Sequence, residues 1–239
     1  MGPLNGTNVL VTGGTDGIGA AMVSQLAARG VRTFATGRSA SDGARDGPVS
    51  WHRVDQADPT ASRETLRQLC EGVGADVAIL NAGTGSVAGD AGEGAESIRR
   101  TLAVNLTATV LIAHALAPML LERRGTLVLI GSVARKGMAA LPSYAASKAG
   151  LHGFGRALGE EWRGRATVLT LHPGPTRTAM QGKAGLDVGR AASLFVSAET
   201  MAAALLARVA AAHGSLKPSQ STIAHAAALR ERLRARELA

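Results

Sequence analysis

The chain has 239 residues, of which 46% are hydrophobic and only 3% aromatic, so its core must be built mainly from alanine, valine and leucine. The formal net charge is +8, but the basic residues are dispersed. The densest group, four arginines between positions 230 and 236, is interspersed with glutamates and lacks aromatic neighbours, which argues against a nucleic-acid site.

Short β-branched or apolar runs alternate with helical segments along the chain. The first helix is indicated by Ile18, Met22 and Leu26, which recur every four residues, and we expect Gly30 to close it. The alternation predicts an α/β fold, a doubly wound parallel sheet with helices on both faces. The predicted strands are Asn8–Thr12, Val31–Thr36, Trp51–Val54, Asp76–Leu80, Thr126–Gly131 and Thr167–Leu171.

The remaining segments indicate one domain over residues 1–239. Loops are expected at Ala40–Pro48, Gly83–Gly94 and His213–Thr222, where glycine and polar residues cluster, and no linker or internal repeat is evident. Within the atypical C-terminal part, residues 199–239, we expect helices at Ala202–Ala212 and Ile223–Leu238.

The most apolar stretch is Leu102–Leu121, which polar residues such as Asn105 and His114 interrupt, so we interpret it as a buried helix. No export signal is recognisable, and the single cysteine, Cys70, excludes an intramolecular disulfide. We therefore expect a cytoplasmic protein with no membrane association.

A glycine-rich turn lies between the first strand and the first helix. It reads Thr12-Gly13-Gly14-Thr15-Asp16-Gly17-Ile18-Gly19, a G-x-x-x-G-x-G spacing. Glycines allow a tight turn and a close approach of a pyrophosphate, and the helix N-terminus supplies free N–H groups and the positive end of its dipole. This context favours a dinucleotide-binding turn.

The end of the second strand predicts which dinucleotide binds. NAD-binding proteins place an acidic residue about 20 residues after the turn, whereas this chain has Gly37-Arg38-Ser39. An arginine with a hydroxyl neighbour suits a 2′-phosphate, so we predict NADP(H). Asp16, a negative charge in the turn, argues against this, and Arg38 as a plain surface residue is the alternative.

Tyr144 and Lys148 are four residues apart in a predicted helix and therefore share one face. A fixed cation beside a phenol favours the phenolate, so we expect Lys148 to lower the pKa of Tyr144 and allow proton transfer near neutral pH.

With these motifs in order, residues 5–180 resemble the short-chain dehydrogenase/reductase family, of the compact single-domain type. The turn resembles the family's T-G-x-x-x-G-x-G, and Asn81-Ala82-Gly83 its N-A-G segment. The resemblance implies a Rossmann-like sheet of order 3-2-1-4-5-6. It also implies cofactor contacts from Gly13, Thr15, Asp16, Gly17, Ile18, Gly19, Arg38, Ser39, Asp55, Asn81, Ala82, Gly83, Tyr144, Lys148, Pro173, Gly174, Thr176 and Thr178.

The resemblance implies four catalytic residues, in a reaction that moves hydride between nicotinamide and the carbonyl carbon of a small ketone or aldehyde. Tyr144 would donate the proton, Lys148 would assist it, and Ser132 would hold the substrate oxygen. Asn105 would position a relay water. The alternative structural roles are a strand-end cap for Ser132, a buried helix-bending group for Asn105 and a turn residue for Asp55.

The sequence departs from the family at its C-terminus. We find no clear seventh strand, because Ser215–Thr222 is polar and contains Pro218. A tetramer built on that strand is therefore in doubt, whereas a homodimer through the two long helices, about Thr101–Leu121 and Ser143–Arg163, is expected.

The substrate pocket is expected between four segments: Gly83–Gly94, Val133–Leu141, Gly174–Thr176 and a mobile lid at Ala179–Phe195. His152 and His172 lack a clustered carboxylate or thiol in the sequence, so we take them as structural and predict no metal site.

Two other classes stay open. One is an epimerase or dehydratase on this fold without net redox change, and the other is a non-catalytic NADP-binding sensor. The substrate is not readable from the sequence. The Ala- and Arg-rich composition suggests a GC-rich bacterial genome and a role in secondary metabolism, and an NADP preference favours reduction.

Overall fold

The computed structural model of the chain describes residues 4–89, 92–185, 195–216 and 220–223. The strands are β1 Asn8–Thr12, β2 Arg32–Gly37, β3 Arg45–Asp46, β4 Val49–Arg53, β5 Val77–Leu80, β6 Thr126–Ile130, β7 Thr167–His172, β8 Thr176–Arg177, β9 Val196–Ser197 and β10 Gln220–Ile223. The helices are α1 Gly17–Ala27, α2 Pro59–Val73, α3 Ala95–Leu102, α4 Thr109–Glu122, α5 Pro142–Glu161, α6 Ala179–Ala184 and α7 Ala198–Ala212. A π-helical turn, Ala103–Ala108, joins α3 to α4, and a 3-10 turn, Val133–Lys136, precedes α5.

The main sheet has the strand order β10-β7-β6-β5-β1-β2-β4-β3. All neighbours are parallel except β3 and β4, which are antiparallel. The six strands from β4 to β7 confirm the predicted order 3-2-1-4-5-6. The short strand β3 lies inside the segment Ala40–Pro48, which was expected to be a loop throughout.

A seventh parallel strand is present, so the doubt raised by the sequence was wrong. β10 pairs with β7 from Gln220↔Leu169 to Ile223↔His172. An edge strand needs only one hydrogen-bonding neighbour and tolerates a proline nearby, which is why a polar segment with Pro218 is compatible with it. Ile223 therefore ends a strand instead of starting a helix, and the rest of the predicted helix, residues 224–239, lies outside the described residues.

The core has two layers, one on each face of the sheet. One layer packs α1 and α7 on the sheet, with Val9, Val11 and Leu205 fully buried. The other packs α2, α4 and α5 on the opposite face, with Leu10 and Leu116 buried. The alternation of Val9, Leu10 and Val11 between the two layers is what a strand covered on both faces requires.

The helical path Ala95–Glu122 is long and apolar enough to cross a membrane by length and composition alone. Its residues Ile112, Leu116 and Leu120 are buried in the core, with at most 1% of their surface exposed. This confirms the interpretation of Leu102–Leu121 as a buried helix.

The end of α1 differs in detail from the expectation. Helix α1 ends at Ala27 with Ala28 as its C-cap, so Gly30, with φ +71°, turns the chain two residues later than a cap would.

Helix α5 packs very closely on the sheet. A Cβ at Gly155 would lie 2.1 Å from Thr170 Oγ1 on β7, so this helix approaches the sheet more closely than alanine would allow.

Candidate active site

The glycine-rich turn lies at the carboxyl edge of the sheet, between β1 and α1. Gly13 has φ +65°, and a Cβ there would come within 2.8 Å of Ala82 Cα. A Cβ at Gly19 would lie 2.0 Å from the Gly13 carbonyl oxygen. The Asp16 carboxylate caps α1 by accepting a hydrogen bond from the Gly17 N–H at 2.7 Å. These glycines are therefore fixed by close backbone packing within the turn.

Four hydrogen bonds that the sequence did not predict hold this turn to the end of β5. Thr12 Oγ1 accepts hydrogen bonds from the N–H groups of Asn81 and Ala82, at 3.0 and 3.1 Å. Asn81 Nδ2 donates in return to the carbonyls of Thr12 and Gly13, at 3.1 and 3.2 Å. Asn81 and Ala82 thus fix the turn to the end of β5, and Thr12, which was not among the predicted site residues, takes part in this contact.

The segment after β7 meets the same turn. Its residues Pro173 and Gly174 follow the strand directly. The Pro173 carbonyl accepts a hydrogen bond from Val133 N–H at 3.1 Å, and buried Thr176 donates its hydroxyl to the Gly174 carbonyl at 2.9 Å. The Thr178 side chain lies 3.1 Å from where a Cβ on Gly17 would sit. Thr178 therefore lies beside Gly17, where the turn meets the start of α1.

The predicted adenosine-side residues lie at the ends of β2 and β4. Arg38 and Ser39 are exposed directly after β2, and Thr15 touches this strand end, 2.5 Å from where a Cβ on Gly37 would be. Ile18 points away from the edge and packs against the core. Asp55 follows β4, and its Oδ1 accepts a hydrogen bond from Ala57 N–H at 3.0 Å, so it does form the turn that was its alternative role.

Ser132 and Tyr144 are brought together by the end of β6 and the first turn of α5. Ser132 caps the 3-10 turn by accepting the Ala134 N–H at 3.1 Å, and its side chain also hydrogen-bonds Tyr144. Burial of the Tyr144 hydroxyl raises its pKa above the usual value, and the bond to Ser132 opposes that rise. The prediction of a lowered Tyr144 pKa was therefore wrong for this structure.

Lys148 lies one helical turn below Tyr144 and is only 4% exposed. Its Nζ donates a hydrogen bond to the Ile130 carbonyl at 2.8 Å and lies 5.6 Å from the centroid of the Tyr144 ring. Burial lowers the pKa of Lys148 to about 8, because the low-polarity interior disfavours the charged form. Burial and the Ser132 hydrogen bond, and not the Lys148 charge, therefore set the direction of the Tyr144 pKa shift.

Asn105 sits in the π-helical turn, a feature that often marks functional sites. Its Oδ1 accepts the Thr84 N–H at 2.8 Å, and its Nδ2 donates to the Thr84 carbonyl at 2.8 Å and to Ser147 Oγ at 3.1 Å. Ser147 Oγ in turn donates to the Tyr144 carbonyl at 2.7 Å. Asn105 therefore ties the loop after β5 to helix α5, with Ser147 as a link that the sequence analysis missed.

Glu93 is a third residue that sequence reasoning missed. Helix α5 begins at Leu141-Pro142 without a side-chain cap of its own. The Glu93 carboxylate supplies one from outside the helix, because Oε2 accepts the Ser143 N–H at 3.1 Å and Oε1 accepts the Ser143 hydroxyl. The missing cap is the one signal in the sequence that something else must satisfy this helix end.

The loop after β5 contacts the Tyr144 ring, because a Cβ at Gly85 would lie 3.3 Å from it. Val87 N–H donates to the Ala184 carbonyl of α6 at 2.8 Å, and Ala88 N–H donates to the Ala140 carbonyl at 3.1 Å. Three of the predicted pocket segments therefore meet around Tyr144. Residues 186–194 of the predicted lid lie outside the described residues.

His152 and His172 form a pair behind this site, where the sequence had suggested isolated structural side chains. His172 Nε2 lies 3.3 Å from His152 Nδ1, and the His172 ring fills the space beneath Gly131. Burial lowers the pKa of His172 to about 4, so it is neutral at pH 7. Within residues 4–89, 92–185, 195–216 and 220–223, no group of three or more His, Cys, Asp and Glu side chains is arranged to hold a metal.

A family model, several relatives and solved structures are similar to this chain. The model of the short chain dehydrogenase family matches residues 7–188. An uncharacterized oxidoreductase of Myxococcus xanthus is 33% identical over 186 residues, 73% of this chain and 74% of that protein. The L-xylo-3-hexulose reductase of Hypocrea jecorina is 32% identical over 235 residues, 84% of this chain and 77% of the reductase. A short-chain dehydrogenase from Sphingobium yanoikuyae in complex with NADPH superimposes with a TM-score of 0.77 at 26% identity, covering 97% of this chain and 93% of that one.

Proposed function

The chain belongs to the short-chain dehydrogenase/reductase family of oxidoreductases, and we propose that it is an NADP(H)-dependent reductase of a small ketone or aldehyde. The observation that carries the proposal is the convergence of Ser132, Tyr144 and Lys148 beside the glycine-rich turn. The Hypocrea relative, which is named a ketose reductase, supports a carbonyl substrate.

The residues present fit a dinucleotide at this edge of the sheet. A Cβ at Gly83 would lie 3.5 Å from Asn105 Oδ1 and 3.6 Å from Lys148 Nζ, so this segment passes directly beside both side chains. A Cβ at Gly85 would lie 3.3 Å from the Tyr144 ring, a tight contact that glycine avoids. The N-terminus of α1 offers free N–H groups and a positive dipole end for the phosphates.

The preference for the 2′-phosphorylated cofactor is supported by the end of β2. Arg38 is exposed there, and no acidic residue takes the position that would bind a free ribose 2′-hydroxyl. The NADPH complex of the Sphingobium dehydrogenase agrees with this preference.

A bound nicotinamide supplies the hydride to the carbonyl carbon. Tyr144 donates a proton to the carbonyl oxygen. Burial raises the pKa of its hydroxyl, which weakens it as an acid, and the hydrogen bond with Ser132 opposes that rise. The Ser132 hydroxyl hydrogen-bonds the same oxygen and stabilises the charge that develops there. Lys148, charged below a pH of about 8, offsets the negative charge left on the tyrosine.

Asn105 has a supporting part in this proposal. Its side-chain amide is committed to Thr84 and Ser147, so it fixes the distance between the loop after β5 and the catalytic helix. Both polar atoms of the Asn105 side chain are thus engaged within the protein, so the expected water relay has no support from this side chain.

The proposal includes a cytoplasmic homodimer that pairs α4 and α5 across a two-fold axis. The outer face of α5 supports this, because it exposes the small residues Ala146, Ala149, Gly150 and Gly153, which allow close helix approach. The mass in solution, measured by light scattering, tests it: a monomer at micromolar concentration would contradict the dimer.

The experiment that tests the reductase is a cofactor titration followed by turnover of the Tyr144→Phe variant. We expect tighter binding of NADPH than of NADH, followed by reduction of ketones or aldehydes from a panel. Tyr144→Phe should lose roughly a hundredfold to ten-thousandfold in kcat while retaining cofactor affinity, because only the proton donor is removed. Full activity of the variant would refute the role of Tyr144, and turnover without net NADPH consumption would indicate an epimerase or dehydratase.

A further inference from the structure

We propose that Arg53 is a second specificity-determining residue, which acts with Arg38 as an arginine pair that binds the cofactor 2′-phosphate. This inference rests on the NADP(H) preference proposed above and extends it to a residue on a different strand. Arg53 is the last residue of β4 and is exposed.

The register of the sheet places Arg53 beside the end of β2. Gly37 and Arg53 are direct partners in the parallel pair of β2 and β4. Neighbouring strands lie roughly 4.8 Å apart, and partnered residues of parallel strands project from the same face. Arg53 therefore leaves the sheet next to Gly37, on the side to which a Gly37 Cβ would point.

That side is the face of the glycine-rich turn. A Cβ at Gly37 would lie 2.5 Å from Thr15 Oγ1, so Thr15 covers the strand end there. Two residues earlier, Trp51 on β4 follows the same pattern, because its Cζ3 lies 3.7 Å from where a Cβ on Gly14 would be. Arg53 thus lies near Thr15 on the neighbouring strand. Arg38 also lies near Thr15, because it directly follows Gly37.

The local charges favour an additional guanidinium group. Asp16 adjoins Thr15 in the turn, and Asp42 accepts the backbone N–H of Arg53 at 3.1 Å. Carboxylates near a phosphate repel it, and each added guanidinium group offsets part of that repulsion. Neither Arg38 nor Arg53 makes an ion pair in the part of the chain that the structure describes, so both guanidinium groups are available for phosphate oxygens.

The experiment measures binding of two fragments of the cofactor by calorimetry, independently of turnover. The probes are 2′,5′-ADP, which carries the 2′-phosphate, and 5′-ADP, which lacks it. The variants are Arg53→Gln, Arg38→Gln and, as a matched control, Arg32→Gln, which removes one positive charge from an exposed position at the opposite end of β2. Arg53→Lys keeps the charge but lacks the two-pronged hydrogen-bond geometry.

We expect Arg53→Gln to weaken 2′,5′-ADP binding roughly tenfold, as the loss of a charge-assisted hydrogen bond predicts, and to leave 5′-ADP within twofold. Arg53→Lys should fall between wild type and Arg53→Gln, and Arg32→Gln should match wild type. If Arg38→Gln alone weakens 2′,5′-ADP, or Arg53→Gln affects both probes equally, the role of Arg53 is refuted while the cofactor preference stands. If wild type binds both probes equally, the cofactor preference itself fails, and the arginine pair with it.

Discussion

The buried cation of Lys148 makes a definite prediction about the pH dependence of stability. Burial lowers its pKa from 10.5 to about 8, so between these two pH values the unfolded chain binds more protons than the folded one. Stability should therefore rise with pH in this window. Because a tenfold change in proton affinity corresponds to about 1.4 kcal/mol, keeping Lys148 charged costs the folded chain about 3 kcal/mol at pH 7. Roughly 2 kcal/mol of this cost should be relieved by pH 9.5.

The matched variant is Lys148→Met, which keeps an apolar stem of similar length but does not titrate. It loses the hydrogen bond to the Ile130 carbonyl, and this loss is the same at every pH. The quantity to compare is therefore the change with pH of the stability difference between wild type and variant. Urea unfolding, followed by the fluorescence of buried Trp162, measures it at pH 7 and at pH 9.5.

The expected result is that wild type gains about 2 kcal/mol relative to Lys148→Met between the two pH values. Lys136→Met, at an exposed lysine, serves as the control and should follow wild type. Parallel pH profiles for wild type and Lys148→Met would refute the reasoning, because they would mean that Lys148 titrates alike in the folded and unfolded chains.

Two further predictions concern packing and surface charge. Gly155→Ala should destabilise the fold by about 1–3 kcal/mol, since the new Cβ would meet Thr170 Oγ1, whereas Gly72→Ala in α2 meets nothing within 4 Å and should stabilise it by up to about 1 kcal/mol. Thermal unfolding compares the two, and shifts of the same sign would contradict the close approach of α5. Arg123→Ala should cost under about 1 kcal/mol and less in high salt, because its ion pair with Asp76 is 2.7 Å long but partly exposed. Asp76→Ala should cost more, since the carboxylate also accepts a backbone N–H of β1, and urea titrations that rank the two variants the other way would be inconsistent with this geometry.

The parts of the fold that the sequence predicts well are those with strong local patterns. Strands such as Asn8–Thr12 are apolar on both faces because both faces are covered, and the structure reproduces that strand to the residue. β10 lacks this signal, since an edge strand with a single neighbour can be short and polar. Its existence depends on tertiary pairing with β7, which no local pattern encodes.

In the candidate site too, the features that local patterns predict differ from those that depend on the complete fold. Spacing predicts that Tyr144 and Lys148 share one helix face, and the family resemblance implies that Ser132 joins them. The structure brings Ser132 into a hydrogen bond with Tyr144, and Lys148 lies 5.6 Å from the Tyr144 ring centroid. Their electrostatics were not predictable, because the pKa values of Tyr144 and Lys148 depend on how deeply the finished fold buries them. The cap that Glu93 provides for α5 was not predicted for a related reason, because Glu93 and Ser143 are 50 residues apart in sequence.

Tyr144 is the only tyrosine in the chain. Its burial beside Ser132 therefore gives this protein a built-in optical reporter, because the ultraviolet absorption of tyrosinate can arise from one phenol alone. The two tryptophans absorb in the same region but do not ionise there, so they contribute only a constant background. A spectrophotometric titration of the unlabelled wild-type protein would read the proton affinity of the proposed proton donor directly, and repeating it with NADPH present would report how the cofactor changes it.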